Sequence, residues 1–477
     1  MGQTYMAGQT INRPGIYQRS VNRGTNAVTG ATEHSVAIPI QADWGPVDVV
    51  TEHENVSSVT AMYGTNKTVD AAIALLEGGA PKVYCIRLDK ASTDTAGAEA
   101  KKASLELTDA EAGTAAVTIS AKYPGTKEIK VQTRIKVEGA SKEILVYSGT
   151  TQLETISFAI GGDANEVANL VAAVNSSSNY ITAVAGTGTT VPIKDLTALT
   201  GGVDPAITTA SYTEALNKLE VYDFTHIALD TVDTTVQAVL KTWVDRVYDD
   251  GKWIVAVMGG TNKDKAFSDL TAASKSCDNK KNIYFGHWGR DAEGNVVDGY
   301  KMAAYVAGAI ANTPSNKSIV HATVPGIVSI VPFTNSEYST AIECGLLLAS
   351  YSPNGAVWFD SGVNTLVNLG AEEDAGWKKI RRVATRFELF RRLDEALATL
   401  VGKVNCDSDG IAQAVQKGMG VINAMITEDK LHADSTFYED PENPYNSDSA
   451  WFIIDADDID SLEKIHLKYQ FRFSTNS

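Results

Sequence analysis

Short, uninterrupted apolar runs recur along this chain, and stretches with helical spacing separate them. The runs cover residues 35–40 (SVAIPI), 82–88 (KVYCIRL), 225–229, 253–258 (WIVAVM) and 282–286 (NIYFG). Between them, residues 68–77, 212–219, 234–249 and 300–311 read as helices. In the third of these Val236, Val239, Leu240, Trp243, Val244 and Val247 fall on one face. A strand apolar at consecutive positions has to be covered on both faces. Helices alternating with such strands supply that cover and give a largely parallel sheet, so the expected core is α/β.

At 477 residues the chain is too long for one ordinary core, and the expected fold class is α/β multidomain. Residues 1–20 are polar and Gly-rich and read as an arm with a short extended signal. The α/β core is expected over 21–90 and 204–351. Residues 91–203, rich in Thr, Ala, Gly and Val, interrupt it. There 117–120, 128–137, 143–147 and 155–160 look like short antiparallel strands, with Ile129, Val131, Thr133, Ile135 and Val137 alternating, and 163–175 like one helix. A β-rich domain set into a loop of the core is expected there. Residues 352–477 form a third, α+β unit.

That last unit holds the strongest charge contrast. Residues 377–403 carry an apolar stripe at steps of three and four, the mark of a long amphipathic helix. Its first part places Lys378, Lys379, Arg381, Arg382, Arg386, Arg391 and Arg392 against a single acid, Glu388, in a chain of net charge -17. Residues 428–463 invert the pattern, with twelve acids, among them Asp455, Asp457, Asp458 and Asp460, against Lys430 alone. The basic face is either solvated, paired within its own chain, or met by a neighbouring copy; nucleic acid is disfavoured by the acidic total. The chain ends in EKIHLKYQFRFS, where Ile465, Leu467, Tyr469, Phe471 and Phe473 alternate with polar and basic residues. That pattern is a strand with one apolar face, which either completes its own sheet or augments a neighbour's.

No residue pattern calls for catalysis or a cofactor. Walker A, GxGxxG, HExxH, GxSxG and EF-hand spacings are all missing from the sequence. Fragments at His287-Trp288-Gly289 and Asp360-Ser361-Gly362 lack a nucleophilic serine opening an apolar helix, so no triad can be assembled. His226, His287 and His321 read as ordinary core or surface residues. Cys85, Cys277, Cys344 and Cys406 are far apart and read as reduced thiols, and Asp455, Asp457 and Asp458 read as solvated acids rather than a metal site. No apolar run has the length of a membrane span, and the start of the chain lacks a signal-peptide layout.

Several stretches, taken in order, resemble one family: the tail sheath proteins of contractile phage tails and phage-tail-like bacteriocins. They are RPGIY; SVAIPIQADWGPVDVV with SSVTAMYG; AKYPGTKEIKV; LTALTGGVD with YTEALNKLEVYDFTHIA; SGVNTLVN at 361–368; and WKKIRRVATRFELFRRLDEAL. The resemblance implies a non-catalytic, subtilisin-like central domain, an inserted β-sandwich and a C-terminal domain facing an inner tube. It implies sixfold rings stacked as a helical sheath, with the inner tail tube, baseplate and tail terminator proteins as partners and no cofactor. By the same resemblance Ile16 and Tyr17 belong to a donated N-terminal strand. Ile465, Leu467, Tyr469, Phe471 and Phe473 belong to an augmenting C-terminal strand, and the basic helix faces the tube or a neighbour. The implied setting is a virion tail or tail-like particle assembled in the bacterial host cytoplasm. The readings that compete with it are an α/β hydrolase-like enzyme and a nucleic-acid-binding scaffold.

Overall fold

The computed structural model describes residues 34–109, 113–161 and 165–472 in full, and the backbone of 2–4 and 16–18. The chain divides into two compact units, residues 35–240 and residues 241–477, the latter together with the N-terminal 34. Both are mixed α/β.

In the first unit, Val36–Ile40 is buried at every position, as its unbroken apolar run requires. It pairs in parallel with Val83–Arg87 and with His226–Ala228, and Val50–His53 closes the edge antiparallel to Val83–Arg87. Helices Val56–Tyr63, Val69–Glu77 and Thr209–Leu219 accompany this sheet, the first capped by Asn55, whose side chain accepts from the Ser58 amide. The first of them is absent from the sequence reading.

The segment expected as an insertion builds two antiparallel sheets. One orders Thr151–Ala159, Ser141–Ser148, Lys130–Ile135 and Lys194–Ala198; the other orders Ile181–Ala185, Ala115–Ala121 and Ser104–Thr108. Helix Glu166–Ser177 packs with them, and Val117, Ile119, Ile144, Val146, Leu170 and Val174 share one core. The alternation expected through Val137 stops early: Val131 and Thr133 are buried, whereas Ile135 and Val137 are exposed because the strand leaves the core at its end.

In the second unit, Val255–Gly259, Asn282–Phe285 and Leu346–Leu347 run parallel. Helix Gly299–Ala311 is buried almost throughout, and its small side chains let it lie close on Val255–Gly259. The charged region follows. A 3-10 turn, Ala375–Lys378, leads into helix Ile380–Ala398, so the helix is shorter than its sequence pattern at both ends. Asp374 caps the turn at the Trp377 amide, 3.2 Å away, and residues 400–403 close the other end as turns with Gly402 at φ 72°. A second helix, Ser408–Thr427, packs against the first, and hairpin Thr436–Glu439 with Phe452–Asp455 lies across it. Gly418 is required there: a Cβ would collide with the Phe437 ring.

The alternating C-terminal segment is not a strand here. Residues 459–472 carry no strand among the described residues, and Phe473 lies outside them. A strand exists through hydrogen bonds to a partner, and among the described residues this segment pairs with no other strand.

Candidate subunit-assembly surface

The basic helix meets the acidic segment inside the chain. Arg382 binds Asp458 through two bonds, Nε to Oδ2 at 2.6 Å and Nη2 to Oδ1 at 2.7 Å. Arg386 donates to both oxygens of Asp374 at 3.0 Å and to Asp458 at 2.9 Å, and its guanidinium lies 4.3 Å from the centre of the Trp377 ring. Lys379 reaches Asp460 at 2.5 Å and Glu463 at 2.7 Å. Lys378 donates to the Val367 carbonyl at 2.6 Å, and Arg391 to the carbonyl of Trp253. Burial works against the Asp458 charge, but Arg382 and Arg386 hold its carboxyl below the ordinary range. A Cβ at Gly376 would come within 2.6 Å of Arg382 Cζ, so glycine is what lets that guanidinium cross the turn.

Of the four acids singled out in sequence, Asp458 and Asp460 thus meet the helix. Asp455 is exposed at the end of its strand, and Asp457 is buried with its carboxyl pushed up to about 6 by burial and the neighbouring Asp458. Among the described residues no group of His, Cys, Asp or Glu could hold a metal ion, and no helix is long and apolar enough to cross a membrane.

Two exceptions in the sequence pattern find each other. Glu388, the lone acid of the basic stretch, accepts from Lys430, the lone base of the acidic one, at 2.6 Å. Ser315 donates to the same carboxylate at 2.5 Å, and Arg392 bridges it at 2.7 Å and Glu428 at 2.8 Å. Burial opposes the charge on Glu388, and these partners hold its carboxyl below the usual range.

A second junction lies in the unit 35–240 and was missed from sequence. Arg87, wholly buried, donates to the Gly45 carbonyl at 2.8 Å and the Pro124 carbonyl at 2.7 Å, and meets Asp204 at 3.3 Å. Asp204 also takes Thr126 Oγ1 at 2.5 Å and Lys67 at 2.7 Å. The stretches WGP, YPGT and GGVD therefore converge on one guanidinium. The signal available was a lone arginine closing an apolar strand, which a buried charge with several acceptors explains.

The arms complete the picture. Ile16–Gln18 pairs in parallel with Gly2–Thr4 and runs beside the basic helix. At the other end Ile465, Leu467, Tyr469 and Phe471 are 70%, 69%, 73% and 93% exposed, and the Tyr469 and Phe471 rings lie parallel within 11° at 6.3 Å. That is one apolar face of an extended segment with nothing described to cover it.

Comparison with known proteins supplies the frame for this geometry. Residues 205–365 match the phage tail sheath protein central domain. Residues 205–365 thus carry the central domain of a phage tail sheath protein. Across its length it is similar to the phage-like element PBSX protein XkdK of Bacillus subtilis strain 168, 22% identical with 98% of this chain and 99% of that protein covered. Its fold is similar to a sheath tail protein from Desulfitobacterium hafniense, with TM-score 0.68, 18% identity, and 95% of this chain and 100% of the other covered. It is also similar to the helical sheath of the anti-feeding prophage in its contracted state, with TM-score 0.54, 12% identity, and 97% and 99% covered. The matched domain and the similar folds are those of structural sheath proteins, which makes the chain a sheath subunit rather than an enzyme.

Proposed function

We propose that this sheath subunit polymerises as stacked sixfold rings around an inner tube, on a baseplate, and contracts to drive the tube through a target cell envelope. The observation that carries the reading is the uncovered apolar face of Ile465, Leu467, Tyr469 and Phe471. Covering each such side chain is worth about 1.5–3 kcal/mol, and each new backbone hydrogen bond about 1 kcal/mol net. A neighbour's sheet edge offers both, so this segment, with Phe473, serves as a donated strand that links subunits while polar contacts change. Ile16 and Tyr17 act likewise at the other end.

Within this reading residues 21–90 and 204–351 form a subtilisin-like, non-catalytic central domain, 91–203 an inserted β-sandwich, and 352–477 the domain nearest the tube. The cations of the basic helix are largely consumed in the chain, so tube contacts fall to other surfaces of that domain. The particle is a phage tail or tail-like body, assembled in the host cytoplasm with tube and terminator proteins.

Deleting residues 464–477 tests the reading by negative-stain microscopy and sedimentation. The full chain is expected to form hollow, helically striated tubes and the truncated one only small folded particles. Normal tubes from the truncation would refute the donated strand.

A further inference from the structure

A cleft of about 650 Å³ opens between residues 316–321, the start of the basic helix and residues 459–465. Lys317, Ser318, His321 and Arg381 line it, together with Asp429, Asp460 and Glu463. Arg381 is the anomaly. Its neighbours Lys379, Arg382 and Arg386 each hold a carboxylate. Arg381 is only 7% exposed, yet among the described residues its guanidinium has no hydrogen bond or ion pair, and its Nε is buried without an acceptor.

The acids in the cleft do not fill that vacancy. Asp460 and Glu463 are drawn to Lys379, and Glu463 also accepts from Ser461 at 2.8 Å. They lower the cost of burying Arg381 at a distance without satisfying its donors. Helix Ile380–Ala398 begins at the same wall with no side-chain cap and no acid in its first turn, so the positive end of a 19-residue helix adds to the guanidinium. Exposed Lys317 stands at the rim. A planar fork of unused donors, a helix start and a rim cation are together the chemistry that recognises a planar or tetrahedral oxyanion.

We propose that this cleft is an oxyanion-binding site, with Arg381 as its principal donor and Lys317 at its entrance. The ligand class is a phosphate or carboxylate, supplied either as a free small anion or by an acidic segment of a second copy of the chain. The exposed loop within residues 439–448, which includes Glu442 and Asp448, is the copy-borne source that the charge pattern favours. The site belongs to the single subunit, so it stands or falls apart from the sheath reading.

Calorimetric titration of the full-length, unassembled protein with inorganic phosphate, at constant ionic strength and pH 7, tests it. A parallel titration uses a synthetic peptide of residues 439–448. Saturable one-to-one binding of either probe is expected, and which one binds identifies the source. Arg381→Gln should weaken it about tenfold to a hundredfold, the loss of charge-assisted hydrogen bonds. Lys317→Gln, at an exposed position that folding does not need, should weaken it a few-fold and decides the matter if Arg381→Gln does not fold. No saturable binding of either probe overturns the proposal. So does equal binding by wild type and Arg381→Gln, or by wild type and Lys317→Gln where only that variant folds.

Discussion

Glu388→Gln isolates the buried charge at the centre of the C-terminal part. The Glu388 side chain is 1% exposed and that of Lys430 2%, and three donors, from Lys430, Ser315 and Arg392, converge on the one carboxylate. Glutamine keeps the shape and removes the charge, leaving the Lys430 ammonium buried against a neutral acceptor. Breaking one side of such a pair costs about 3–5 kcal/mol, because the remaining charge stays desolvated. Lys430→Met removes the ammonium instead. It leaves Glu388 with Arg392 and Ser315, so it should cost less, about 1–3 kcal/mol. Replacing both, as Glu388→Leu with Lys430→Met, takes two charges out of a dry site and should recover much of the loss. Urea unfolding of the unassembled subunit, followed by tryptophan fluorescence, measures all three. The reasoning fails if Glu388→Gln changes stability by less than about 0.5 kcal/mol, the scale of an ordinary surface substitution, or if it proves milder than Lys430→Met.

Other outcomes follow from the same geometry. Arg87→Met should destabilise the subunit by about 3 kcal/mol and open residues 91–203 to limited proteolysis first, since two carbonyls and Asp204 lose their donor. Asp230 is fully buried, bonded to Tyr212 at 2.6 Å and to Thr68, and its carboxyl is pushed up to about 6 mainly by burial. A folded-state value above the ordinary 3.8 stabilises fully below pH 3.8, and the benefit is lost as pH rises through about 6. Asp230→Asn should therefore flatten the stability profile across that window, where the wild type changes by about 3 kcal/mol. Asp458 has the opposite sign: its carboxyl sits below 3.8, so its contribution holds at neutral pH and is lost only in acid below that value, and Asp458→Asn should remove that acid-limited part. Gly418→Val should cost at least about 1–3 kcal/mol by forcing the Phe437 ring off the helix, measured by thermal unfolding.

The core was legible because burial on both faces leaves an unbroken apolar run, as in Val36–Ile40 and Val255–Gly259, and no other placement suits such a run. The short elements were not. Thr436–Glu439 and Phe452–Asp455 sit among acids and turns, and what makes them strands is each other. The terminal segment shows the converse: a strong period-two signal at Ile465, Leu467, Tyr469 and Phe471 produces no strand, because periodicity marks which face will be covered and not whether a partner is present. Charge was legible as contrast, and the pairing was hidden in its exceptions. Glu388 and Lys430 each break the local pattern, and a charge kept where its surroundings are of the other sign has a partner to satisfy. Arg87 gave less warning, since its acceptors are the carbonyls of two separate turns and the carboxylate of Asp204, which only the folded chain brings together.

Charge and apolar surface are put to different uses in the C-terminal part. Exposed ion pairs contribute about 0–1 kcal/mol and weaken with salt, so a linkage between subunits built on them would be fragile. The inner pairs here are withdrawn from water: the side chains of Asp458 and Glu388 are 4% and 1% exposed. In that setting they hold geometry, because any displacement strands a charge. The last residue they grip is Glu463, bound by Lys379; exposed Leu462 stands just before it, and the alternating apolar face of the arm starts at Ile465, two positions later. The clamp therefore ends where the arm begins. Lys379 and Glu463, with side chains 30% and 20% exposed, tie the root of the arm to the start of the helix, while Ile465, Leu467, Tyr469 and Phe471 keep an uncovered apolar face. In the sheath proposed above, a subunit that turns within the polymer without losing its neighbours would use both properties: a root tied to its own helix and a strand whose bonding another copy completes.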